Sequence, residues 1–190
     1  ARRTREAVAT LLIAFLSHCA LAITLARGWP EVASACFPGG PDYWAKNLHW
    51  IRTGEDPEYL WINWLPAHLQ LALAMMARGF LSLGLIPMLQ GFHEVDLMNY
   101  YVGQLLSLSG DAPTTLLLGW HPWSCVRGLA YGVFVGVTAG YSFDRLVGRP
   151  PIFPLRGLVV GCGLLLLDGL VKLLSLDPVR SHLAANLMGG

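Results

Sequence analysis

Charge is scarce in this chain. Asp, Glu, Lys and Arg make up only 13% of its 190 residues, about half the roughly 25% of a typical soluble domain. The 13 basic and 12 acidic residues nearly cancel, leaving a net charge of +1. That balance excludes a nucleic-acid binder acting through bulk positive charge. The absence of any long like-charge run, with 54% hydrophobic residues, excludes a disordered chain. Cysteine is sparse too: Cys19, Cys36, Cys125 and Cys162, none at a CxxC spacing. Zinc-ribbon and thioredoxin-like sites are thereby excluded, and the four read as small hydrophobes. There is no P-loop, no GxSxG elbow and no dinucleotide fingerprint.

What is present is apolar sequence in long stretches. Arg2, Arg3 and Arg5 precede twenty uncharged residues, Ala7 to Ala26. At 1.5 Å per residue these reach about 30 Å, the hydrocarbon thickness of a bilayer. A signal peptide has a shorter apolar core, so a retained first span is expected, with cleavage after Ala20 or Ala22 as the alternative. Residues 59–92 hold a single charge, Arg78. Pro66 divides an interfacial entry from a span at 67–90, which would set Arg78 near mid-membrane, facing a carboxylate, backbone carbonyls or water.

Residues 28–58 are the one long polar stretch. Five acids (Glu31, Asp42, Glu55, Asp56, Glu58) face Lys46 and Arg52, and aromatics such as Trp29, Tyr43, Trp44, Trp50 and Tyr59 are dense. Tyr and Trp settle at membrane interfaces, so this reads as a loop along the headgroups with room for a short helix at 42–52. A partner-docking or ligand-binding surface is the sharper alternative. Residues 93–121 contain no Lys or Arg; Leu97–Leu108 is apolar, and Ser109, Gly110, Asp111 and Pro113 stop a helix there. They read as a re-entrant or interfacial segment.

The most regular pattern is in 122–143, where Gly128, Gly132, Gly136 and Gly140 recur every fourth residue. That spacing puts them on one helix face, where a second backbone could approach closely. Gly157 and Gly161 continue the theme in a last span at 157–176, before which lies a basic loop with Arg145, Arg149 and Arg156. Asp168 and Lys172 stand four apart, acid first, the orientation that favours an internal ion pair.

The expected fold is all-α: a polytopic integral membrane protein with about four transmembrane helices (7–26, 67–90, 122–143, 157–176), the segment 93–121 and the aromatic loop, in one domain over 1–190. The basic N-terminus and the basic 144–156 loop both favour the cytoplasm, which four simple spans do not allow, so orientation stays unassigned. The membrane expected is a bacterial inner membrane or an equivalent energy-transducing one.

Three constellations could carry chemistry. His93, Glu94 and Asp96, with Asp111 and His121 further along, have ligand types that suit zinc, iron or manganese, although H-E-x-D is no established zinc signature. The ordinary reading is a polar interfacial turn. His18 could ligate haem with His68, His93 or His121, and nothing in the spacing selects a pair. Arg78, Arg127, Asp168 and Lys172 could form a buried charge network serving an ion path or interhelical pairing. No cofactor is singled out; a bound lipid fits more readily than haem or metal.

The favoured function is a non-catalytic subunit of a larger membrane complex, packing through glycine faces and the aromatic loop, with lipids and other membrane subunits as partners and no nucleic acid. The alternatives are a metal- or haem-dependent membrane enzyme using the His93/Glu94/Asp96/His121 region, and a small oligomeric transporter or channel.

Overall fold

The computed structural model of the chain describes residues 2–55 and 61–188. Among them are eight α-helices and no strand. They are α1 (Arg2–Gly28), α2 (Pro30–Cys36), α3 (Gly40–Thr53), α4 (Trp61–Ser82), α5 (Leu85–Leu108), α6 (Ala112–Gly119), α7 (Pro122–Leu146) and α8 (Leu155–Met188). Asp56, Glu58 and Tyr59 of the polar stretch lie outside the described residues.

Proline and glycine punctuate this fold rather than dissolve it. Prolines open α2, α3, α6 and α7 within the first two helical positions, where a missing N–H has no partner to lose. The supposed polar loop therefore holds two helices. The second, α3, is bracketed by Gly39 and Gly54, both at positive φ (89° and 81°). Gly54 closes α3 by donating its N–H to the Trp50 carbonyl at 2.8 Å, the left-handed stop that glycine makes without steric cost.

A second turn divides the expected 67–90 span. Leu83 and Gly84 take positive φ, 54° and 83°, and the chain restarts as α5. Ser82 bridges the break: its hydroxyl donates to the Arg78 carbonyl at 2.6 Å and accepts from the Ile86 N–H at 3.1 Å. The segment 93–121 is divided between two helices. Its first half completes α5, and after the stop at Ser109–Asp111 the Asp111 carboxylate caps α6 by accepting from the Thr114 N–H.

The helices share two main cores. One gathers Trp50 and Ile51 of α3, Tyr101 and Leu105 of α5, and Leu176 and Leu183 of α8. The other joins α4, α7 and the first half of α8 through Met75, Tyr131, Phe134 and Leu165. A smaller cluster of Ala26, Ala33 and Tyr100 ties α1 and α2 to α5.

The four-span reading does not survive. Among the described residues, one helix alone is long and apolar enough to cross a membrane: α8, over Leu155–Leu187. The expected 157–176 span lies inside it. Within α1, the apolar part among the fully described residues is Leu12–Gly28. The 67–90 span is cut by the turn at Leu83–Gly84. In α7, Arg127, Ser142 and the near-neutral glycines dilute the apolar character that the pattern suggested. In α8 only 22% of the apolar window is buried, and Val159, Leu166, Leu170 and Leu174 point outward. A soluble core helix would be mostly covered.

Candidate ligand pocket

Five helices converge on a partly enclosed cavity of about 180 Å³. Helix α3 contributes Tyr43, Lys46, Asn47 and Trp50. The offsets of three, four and seven put these on one helix face. Glu94 comes from α5 and His68 from α4. The start of α7 supplies His121, Trp123, Ser124 and Arg127, and α8 supplies Lys172 and Leu176. The chain has only two lysines, and both line this cavity.

Behind the wall is an ion pair. The Arg127 Nε donates to Asp168 Oδ2 at 2.9 Å, and a second guanidinium nitrogen reaches Oδ1 at 3.4 Å. The Asp168 side chain is fully buried and that of Arg127 is 18% exposed. The sequence expectation paired Asp168 with Lys172 on the same helix; here the carboxylate is met by α7, with Lys172 one turn further along α8. Two buried histidines complete the arrangement. His68 Nδ1 pairs with the Tyr131 hydroxyl at 2.9 Å, and His121 Nε2 with the Tyr101 hydroxyl at 3.1 Å. His121 stacks on Trp123, ring centres 4.6 Å apart, while Trp50 meets both rings edge-on.

Burial first, and then the positive charge of Lys172 and Arg127, push the His121 imidazole down to about 3. It is neutral at physiological pH and serves as a wall, not an acid. The Trp50 indole N–H is buried and has no hydrogen-bond acceptor, a state that costs about 1–3 kcal/mol when no ligand or water satisfies it.

The residues singled out from the sequence fall in several places. Glu94 and His121 both line the cavity. Asp96 instead pairs with His18 of α1 at 2.6 Å, and His93 is exposed. Asp111 caps α6. Among the described residues, no group of three or more His, Cys, Asp or Glu is placed to hold a metal ion. Of the charge network, Arg127, Asp168 and Lys172 meet, while Arg78 lies at the surface and donates to Gln90 Oε1 at 2.6 Å. Gly157 and Gly161 pack tightly against Val137 and Phe134 of α7, whereas Gly128, Gly132, Gly136 and Gly140 have open space where a side chain would stand.

Tyr43, Lys46, Asn47 and Ser124 carry the pocket without having been singled out as a site. The signal was the helical spacing inside the aromatic stretch. A larger open groove of about 630 Å³ lies beside the α4–α5 turn, lined by residues such as Phe80, Tyr141, Arg145 and Phe153. It has a single charge and no cluster of buried polar groups. No protein family, curated protein or solved structure matches the chain.

Proposed function

We propose that this chain is a non-catalytic subunit of a membrane complex, anchored through α8 and joined to a partner subunit by the open face of α7. The observation that carries this reading is the glycine ladder. Gly128, Gly132, Gly136 and Gly140 are exposed and face nothing within 4 Å, although α7 packs against α4 and α8 on its other sides. Such a stripe lets a second helix approach to backbone contact. Leu129 and Phe143, also exposed, give it apolar borders. The occupant that fits is an apolar helix of another membrane subunit, since the stripe itself carries no charge.

The outward leucines and valines of α8 support the anchoring half of the reading. Monomeric soluble proteins rarely leave apolar patches beyond a few hundred Å² uncovered. A bacterial inner membrane or an equivalent energy-transducing membrane is the setting this proposal assumes. The enzyme reading built on His93, Glu94, Asp96 and His121 has less geometric support, because only Glu94 and His121 reach one cavity, while Asp96 pairs with His18 and His93 is exposed.

The test is assembly of Gly132→Leu and Gly136→Leu in the native membrane, read by native mass spectrometry after gentle extraction. The added side chains meet nothing within the chain, so each variant should fold as the parent does while its partner masses disappear. Partner masses retained in both variants would end the reading. A homo-oligomer in place of a hetero-complex would redirect it to self-assembly.

A further inference from the structure

We propose that the cavity between α3, α4, α5, α7 and α8 binds the phosphate of a small phosphate ester, with Lys46, Lys172 and Arg127 supplying positive charge. This goes beyond the assembly reading and does not rest on it, since none of the four ladder glycines lines the cavity.

The donor inventory points to an oxyanion. Three cationic side chains and one carboxylate, Glu94, form the charged part of the wall, and Arg127 also holds the Asp168 carboxylate behind it. Lysine and arginine have donors and no acceptors, and cation-to-phosphate hydrogen bonds are among the stronger kinds. Lys172 is 6% exposed, so its ammonium is held in the interior, while Lys46 stands at the exposed edge. The Trp50 ring closes the inner end of the cavity, its own N–H sealed inside the wall. In a chain with only two lysines, both are placed here.

Size and position narrow the class. About 180 Å³ is below the roughly 300–1,000 Å³ of pockets for drug-sized ligands, enough for a phosphate with a short polar stub and too small for a nucleotide. Several cations suit a multiply charged phosphate better than a single carboxylate. Glu94, exposed at the edge, would accept from a hydroxyl or ammonium on the far side of the ester. The surrounding tryptophans give the cavity the amphipathic character of the headgroup level of a bilayer. A phospholipid headgroup and a soluble phosphate ester share this chemistry.

The test is calorimetric titration of the whole chain in uncharged detergent and phosphate-free buffer. The probes are inorganic phosphate, glycerol 3-phosphate and dihexanoyl phosphatidylglycerol, with succinate as a carboxylate control. At least one phosphate probe should bind saturably. Loss of one charge-assisted contact should weaken it about tenfold in Lys172→Met and in Lys46→Gln. Glu94→Gln should tighten inorganic phosphate, because it removes a repelling charge, an effect that simple structural damage does not produce. Should Lys172→Met lose helical content, the exposed positions Lys46 and Glu94 decide alone. Tighter binding of the short-chain lipid than of glycerol 3-phosphate assigns the phosphate to a lipid headgroup; equal binding assigns it to a soluble ester. Absence of binding by all three probes at millimolar concentration overturns the proposal, as does equal binding of succinate, or unchanged affinity in the variants.

Discussion

Arg127 of α7 holds the fully buried carboxylate of Asp168 on α8, Nε to Oδ2 at 2.9 Å. The pair crosses the interface on which the second core is built. A buried ion pair gains little over a well-packed apolar pair, but losing one partner strands the other charge, at roughly 3–5 kcal/mol. Arg127→Met alone should therefore lower the unfolding free energy by several kcal/mol, measured in denaturant. The double variant Arg127→Met with Asp168→Leu should recover most of that loss. A double variant as unstable as Arg127→Met would show that the pair is not what the interface depends on.

His121 makes stability depend on pH. Its imidazole titrates at about 3 in the folded chain because it is buried beside Lys172 and Arg127, against about 6.5 when exposed. The unfolded chain therefore takes up this proton first as pH falls. The stabilisation is fully present above about 6.5 and is lost progressively towards 3, at about 1.4 kcal/mol per pH unit. Between pH 6.5 and 5, where carboxylates still contribute little, the parent should lose about 2 kcal/mol. His121→Gln, which keeps a polar group for the Tyr101 hydroxyl, should remove most of that slope. Parallel curves for parent and variant would mean that His121 is not the group responsible.

The sequence made helices easy to foresee and their ends hard to place. In α8 a long apolar run predicts a helix directly. In α3, Gly39 and Pro41, which read as loop signals in the sequence, open a helix that Gly54 closes. The break at Leu83–Gly84 was hidden because a glycine inside an apolar run usually continues a helix. The pocket was less legible still. Asp168 and Lys172 share a helix and were grouped by spacing, but Arg127 lies 41 residues from Asp168, and such a pair is set by how α7 packs on α8. Lys46 registered only as one charge in an acidic stretch, and nothing in its neighbours shows that α3 folds back against α5 and α8. Hydrophobic pattern counted spans where the real bundle breaks, caps and buries polar residues.

The glycines divide into two kinds, and substitution should separate them. At Gly103 of α5 an added methyl would meet the Ile23 carbonyl and the Ala26 side chain of α1, where backbone cannot yield. At Gly161 it would meet the ring of Phe134, itself fully buried. Overpacking of this kind costs typically 1–3 kcal/mol, so Gly103→Ala and Gly161→Ala should both destabilise, Gly103→Ala the more. At Gly136 the same methyl meets nothing, and alanine in an exposed helix interior is better than glycine by roughly 0.5–1 kcal/mol. Gly136→Ala should leave the isolated chain as stable as the parent or more so. Chemical unfolding of the three variants side by side gives the ranking. A Gly136→Ala variant as unstable as Gly103→Ala would mean that the α7 ladder is covered within the chain, and the open face on which assembly depends would not exist.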